Sequence, residues 1–124
     1  MPKILIVDDE PHIRILLEQT LEELEDDGVD FLIADNGEDA LEIIQEERPE
    51  LVFLDVMMPR MNGFEVCSRV KNEPGLKEVY IIMLTAKGQE FDKVKGTEAG
   101  ADTYMTKPFN PDELLEKARE VLGL

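Results

Sequence analysis

The chain has 124 residues, 43% of them hydrophobic, and 13 basic against 29 acidic residues leave a formal net charge of −16. That length suits one domain, expected to span residues 1–124, and the apolar content argues against disorder. The charge opposes direct binding of nucleic acid or an anionic membrane, no apolar run approaches the ~20 residues of a membrane span, and the single Cys67 excludes an internal disulfide. A cytoplasmic setting is therefore expected, with a cation, or a protein presenting a basic or apolar face, as the fitting partner.

The first predicted strand, "KILIVD" (3–8), is apolar without alternation, as a strand buried on both faces reads. It runs straight into Asp8, Asp9 and Glu10. Like charges about 5 Å apart repel by roughly 3 kcal/mol at an effective dielectric near 20, so the arrangement invites a cation. A helix follows, with Ile13, Leu16, Leu17, Leu21 and Leu24 on one stripe and "EELEDD" (22–27) as its solvated end. "FLIAD" (31–35) is the second strand, and "DNGED" supplies Asx caps for a helix over 37–48. The third strand, "LVFLD" (51–55), ends in Asp55 and passes into "VMMPRMNG", whose Pro59 and Gly63 leave that carboxylate at an open rim. A helix over 63–73 and the strand "VYIIMLT" (79–85) come next. The fourth predicted helix, 89–99, has a thin stripe of Phe91, Val94 and Ala99, with Gly96 inside and Gly88 and Gly100 at its ends. An interior glycine costs about 1 kcal/mol relative to alanine, so a modest input can bias this helix. The fifth strand, "DTYMT" (102–106), leads through Lys107 and Pro108 to a last helix with Asn110 at its N-cap and Pro111 at its first position. Leu114, Leu115, Ala118, Val121 and Leu122 form its apolar stripe.

Strands alternating with helices predict a (βα)5 α/β fold, a parallel sheet with right-handed crossovers covering both faces. In such sheets chemistry collects at the carboxyl ends of the strands. If the strand order is 2-1-3-4-5, as in a doubly wound flavodoxin-like sheet, Asp8, Asp9 and Asp55 converge into an oxygen-rich cup of the kind Mg2+ prefers. A carboxylate beside that ion can attack phosphorus, with Lys107 and the Thr85 hydroxyl meeting the phosphoryl oxygens. His12 reads as a surface residue, Cys67 as packing of the third helix, and Met57, Met58 and Met61 as loop and core packing. Glu10 reads only as the start of the first helix.

The segments "ILIVDDE", "LVFLDVMMPRMNGFEV", "IIMLTAK" and "GADTYMTKPF", in this order and spacing, resemble a response-regulator receiver domain of two-component signalling over essentially the whole chain. The resemblance implies that Asp55 accepts a phosphoryl group from a phosphohistidine on a sensor histidine kinase or a histidine phosphotransfer protein. It implies Mg2+ bound directly by Asp9, Asp55 and the Met57 backbone carbonyl, with Asp8 acting through water. Thr85 and Lys107 would contact the phosphoryl group, and the Lys107–Pro108 bond would be cis. Thr85 and Tyr104 would form the switch, so that the fourth predicted helix, fifth strand and fifth predicted helix present a changed face to a downstream target protein. Lys87 and Met57 occupy positions that influence the lifetime of the phosphoryl group. Tyr80, where many relatives carry Pro, and Thr103, where Asp is frequent, depart from the pattern.

The chain is expected to be a signalling phosphoacceptor that assists its own phosphorylation and dephosphorylation, rather than an enzyme. It is further expected to act as a stand-alone receiver of the chemotaxis-regulator kind, monomeric when unphosphorylated. Its later segments resemble receivers fused to a DNA-binding domain, which leaves a receiver fragment of such a regulator as the alternative. A Mg2+-dependent aspartyl-phosphate phosphohydrolase needs a second Asp where Met57 stands. An FMN carrier needs a hydroxyl- and Gly-rich loop where "DDEP" would repel phosphate.

Overall fold

The computed structural model describes residues 2–86 and 98–124. Five strands, β1 (Lys3–Val7), β2 (Asp30–Ala34), β3 (Leu51–Asp55), β4 (Tyr80–Ala86) and β5 (Thr103–Lys107), form one parallel sheet of order β2-β1-β3-β4-β5. Among the described residues the helices are α1 (Pro11–Leu21), α2 (Gly37–Glu47), α3 (Gly63–Asn72) and the C-terminal helix (Pro111–Leu122). This is the doubly wound α/β arrangement that the alternating pattern predicts.

Side chains alternate across a strand, so each apolar run feeds both faces of the sheet. Leu5, Val7, Val52, Leu54, Ile81 and Met83 pack with Ile44 of α2 and Val66, Cys67 and Val70 of α3. Ile4, Ile6, Leu51, Phe53, Ile82 and Leu84 pack on the other face with Leu17 and Leu21 of α1 and Leu114 and Ala118 of the C-terminal helix. Each fully buried side chain of this size is worth roughly 1.5–3 kcal/mol against exposure, which is why the sheet sits between two helical layers.

The apolar stripe of α1 is narrower than its sequence suggests. Leu17 and Leu21 are buried, but Leu16 is 42% exposed and Ile15 53%. The row spaced at i, i+4 and i+7 faces the sheet, and Leu16 lies one position off it. "EELEDD" is a 3-10 turn (Glu22–Asp27) ended by Gly28 at φ 84°, and this turn carries Leu24 into the core.

Asparagines start three helices. Asn36 Oδ1 accepts from the Asp39 N–H at 2.9 Å, Asn62 Oδ1 from Glu65 at 3.0 Å, and Asn110 Oδ1 from Asp112 at 2.9 Å and Glu113 at 3.2 Å. Each such cap is worth about 1 kcal/mol. β4 runs one residue past its predicted end, so Thr85 is its penultimate residue. Of the fourth predicted helix only Glu98 and Ala99 are described, in helical backbone; Lys87, Gly88, Phe91, Val94 and Gly96 lie outside the described residues. No helix among the described residues is long and apolar enough to cross a membrane.

Candidate functional site

The carboxyl ends of the three central strands and β5 meet at one edge of the sheet. β1 pairs with β3, β3 with β4 and β4 with β5, and the register sets Asp55 beside Leu84 and Thr85 beside Thr106. Asp8 leaves β1 fully buried, while Asp55 and Thr85 are 6% and 1% exposed. Lys107, at the end of β5, reaches across. Its Nζ donates to Asp8 Oδ2 at 2.7 Å and to Asp55 Oδ1 at 2.9 Å, joining strands 99 and 52 residues apart in sequence. The Lys107–Pro108 peptide bond is cis.

The remaining predicted residues fall in graded positions around this core. Asp9 is exposed at the rim. Met57 is 75% exposed on the loop after β3. Tyr104 is half-buried and packs against the α2–α3 face of the core. His12 is exposed, with Nε2 3.3 Å from Glu10 Oε2. Cys67 is buried in α3, its Sγ 3.5 Å from the Ala99 carbonyl, and burial pushes the thiol up to about 12.

The loop from Val56 to Asn62 is shaped by close backbone approaches. The Gly63 N–H donates to the Val56 carbonyl at 2.9 Å. A Cβ on Gly63 would stand 2.3 Å from the Asp55 carbonyl oxygen, and one on Gly37 would stand 1.9 Å from that of Met61. Any larger residue at either position would push the loop off the strand end it follows.

Charge is unbalanced here. Asp8, Asp9 and Asp55 set three negative charges against the one ammonium of Lys107. The surplus is negative, and hard carboxylate oxygens are the donors Mg2+ takes. Asp8, Asp9 and Glu10 each offer a carboxylate oxygen within 4.8 Å of the others. Glu10, read from sequence only as the start of a helix, therefore adds its carboxylate to the cluster. Asp55 stands across from this triplet, linked to Asp8 through Lys107.

Burial raises Asp55 from 3.8 to about 6; the Lys107 hydrogen bond opposes that rise, and the Asp8 charge adds to it. Burial works against the Lys107 ammonium, but its bonds to Asp8 and Asp55 outweigh this and leave its pKa above the ordinary lysine value. Near neutral pH the pair is thus a carboxylate held beside a cation. Two participants escaped the sequence reading. Arg14 Nη1 donates to the Asp8 carbonyl at 2.7 Å, and Gly37 seats the Asp55 loop against α2. In sequence Gly37 shows only as a glycine before Glu38 and Asp39, a pattern that signals a helix start.

A model of the response regulator receiver domain matches residues 4–119. The chain is 47% identical over 120 residues to the alkaline phosphatase synthesis transcriptional regulatory protein PhoP of Bacillus subtilis, covering 97% of this chain and 48% of that protein. It therefore spans about half the length of that relative. Among solved structures, the chemotaxis response regulator CheY4 of Vibrio cholerae superposes with a TM-score of 0.84 at 36% identity over 98% of each chain. The BeF3-activated DrrB receiver domain gives 0.86 at 37% identity over 100% of this chain and 99% of that one.

Proposed function

The chain belongs to the response regulator receiver domain family of two-component signalling, and from that premise we propose that Asp55 is its phosphoacceptor. One observation carries the reading: the buried Asp55 carboxylate shares the Lys107 ammonium with Asp8, at 2.9 and 2.7 Å, at the open end of the sheet. Asp55 Oδ attacks the phosphorus of a phosphohistidine. The O–P bond forms as the P–N bond breaks, and the electron pair leaves with the imidazole nitrogen. Lys107, already held at the carboxylate, moves its charge onto a phosphoryl oxygen, and the Thr85 hydroxyl donates to another. Asp8, Asp9, Asp55 and the Met57 carbonyl would hold Mg2+, which neutralises phosphoryl charge when bound.

In this reading the protein is a signalling phosphoacceptor and not an enzyme acting on a separate substrate. Its donor is a sensor histidine kinase or a histidine phosphotransfer protein, and its setting is the cytoplasm. Phosphorylation shifts Thr85 and Tyr104 and changes the face that a target protein meets. The transcriptional regulators of about twice this length favour a second reading, in which that face governs an attached DNA-binding segment. A reading frame that continues past Leu124 into such a segment selects the second, and a stop codon there selects the first.

The test is incubation with acetyl phosphate and Mg2+, read by intact mass. One phosphoryl adduct is expected on the native chain and none on Asp55→Asn. Equal labelling of the Asn variant sinks the assignment. Sustained turnover of generic phosphomonoesters would instead favour a phosphohydrolase.

A further inference from the structure

Asp8 and Asp9 are adjacent in sequence yet differently held. Every polar group of Asp8 is engaged: its N–H donates to the Ala34 carbonyl at 3.2 Å, Oδ1 accepts from the Glu10 N–H at 3.0 Å, Oδ2 takes Lys107 at 2.7 Å, and its carbonyl takes Arg14 Nη1 at 2.7 Å. Asp9 is exposed, and among the described residues its carboxylate accepts no hydrogen bond. Among the described residues, what aims Asp9 therefore acts through the main chain. The Asp8 carbonyl and the Asp9 N–H belong to one planar peptide unit, so fixing that carbonyl fixes the plane from which Asp9 departs.

We propose that Arg14 is a positioning residue for the acidic cup: by holding the Asp8 carbonyl from the first turns of α1, it orients the Asp8–Asp9 peptide and aims the Asp9 carboxylate. A guanidinium suits the task because it is always charged and donates in a fixed plane. Arg14 also lines a groove with Asp35 and Asp39. The contact orders Asp9 without supplying a ligand, as groups behind metal ligands commonly do.

The inference rests on the phosphoacceptor reading, and a direct Mg2+ titration separates the two. Thermal unfolding of the full chain is followed against MgCl2 for the native protein, Arg14→Ala, Arg14→Lys and Arg119→Ala. The last removes an equal charge far from the cup. In Arg14→Ala the Mg2+ concentration giving half the maximal rise in melting temperature should increase roughly tenfold. Arg14→Lys should fall between, and Arg119→Ala should match the native chain. An Arg14→Ala variant that melts lower but keeps the native Mg2+ midpoint overturns the proposal, because the residue is then only structural. A tighter midpoint also overturns it, because the guanidinium then acts only by repelling the cation. A native chain that takes up no Mg2+ removes premise and inference together. A native chain that binds Mg2+ but gains no mass with acetyl phosphate sinks the phosphoacceptor reading, while the midpoints still judge Arg14.

Discussion

Two lysines of this molecule sit among oxygens at opposite ends of the sheet, and they are held differently. Lys71, in the last turn of α3, places Nζ 2.7 Å from Asp102 Oδ2, 2.6 Å from the Val79 carbonyl and 3.0 Å from the Lys77 carbonyl. One ammonium meets one carboxylate and two neutral acceptors, and the charges cancel. Lys107 meets two carboxylates with a third close by, and they do not. Both side chains are largely buried, at 14% and 18% exposure. A buried charge is thus a poor guide to function, whereas a buried surplus of one sign marks a place built to receive something of the other sign.

The contrast can be broken most severely at the balanced end. Lys71→Met leaves the Asp102 carboxylate without its cation, and removing one partner of a largely buried pair costs on the order of 2–4 kcal/mol. Urea unfolding should show that loss, while acetyl phosphate labelling at saturating Mg2+ stays native. An unchanged midpoint would mean that the clasp contributes nothing.

Asp55→Asn should act in the opposite direction, and only at some pH values. The Asp55 carboxyl titrates near 6 folded and near 3.8 in its ordinary state, so the folded chain holds its proton more tightly. Its stabilising contribution is complete below about 3.8 and is lost as pH rises through about 6. The Asn variant should therefore match the native chain near pH 4 and exceed it at pH 7, by up to about 3 kcal/mol from the size of the shift. A gain that does not depend on pH would contradict burial as its cause. The smallest effect belongs to the cation itself. Mg2+ at ten times its dissociation constant should stabilise the native chain by about 1.4 kcal/mol. The same increment should appear in Lys71→Met, since that lysine lies at the other end of the sheet.

Much of this architecture can be read in the chain. The apolar runs mark the strands because a doubly covered sheet tolerates no polar face, and Asn36 and Asn110 announce their helices because an Asx cap is local chemistry. Asp8, Asp55, Thr85 and Lys107 stand out as polar residues ending apolar runs. Contacts without a local signature stay hidden. Lys71 and Asp102 are 31 residues apart, and nothing around either one names the other. Leu16 shows a different limit, since on a helix at the rim of the core a shift of one position decides between burial and solvent. Asp8 and Asp9 read alike in sequence and separate only when the end of β1 tucks one under Lys107 and leaves the other at the rim.

β5 is fastened at both ends. Below it, Asp102 N–H donates to the Ile81 carbonyl at 3.0 Å while Asp102 Oδ2 accepts from the Ile81 N–H at 2.8 Å, so a side chain completes one more rung of the ladder. Above it, Lys107 is tied to Asp8 and Asp55. The strand is a short strap anchored at each buckle, with no slack along its length. Tyr104 lies on the span between the two anchors.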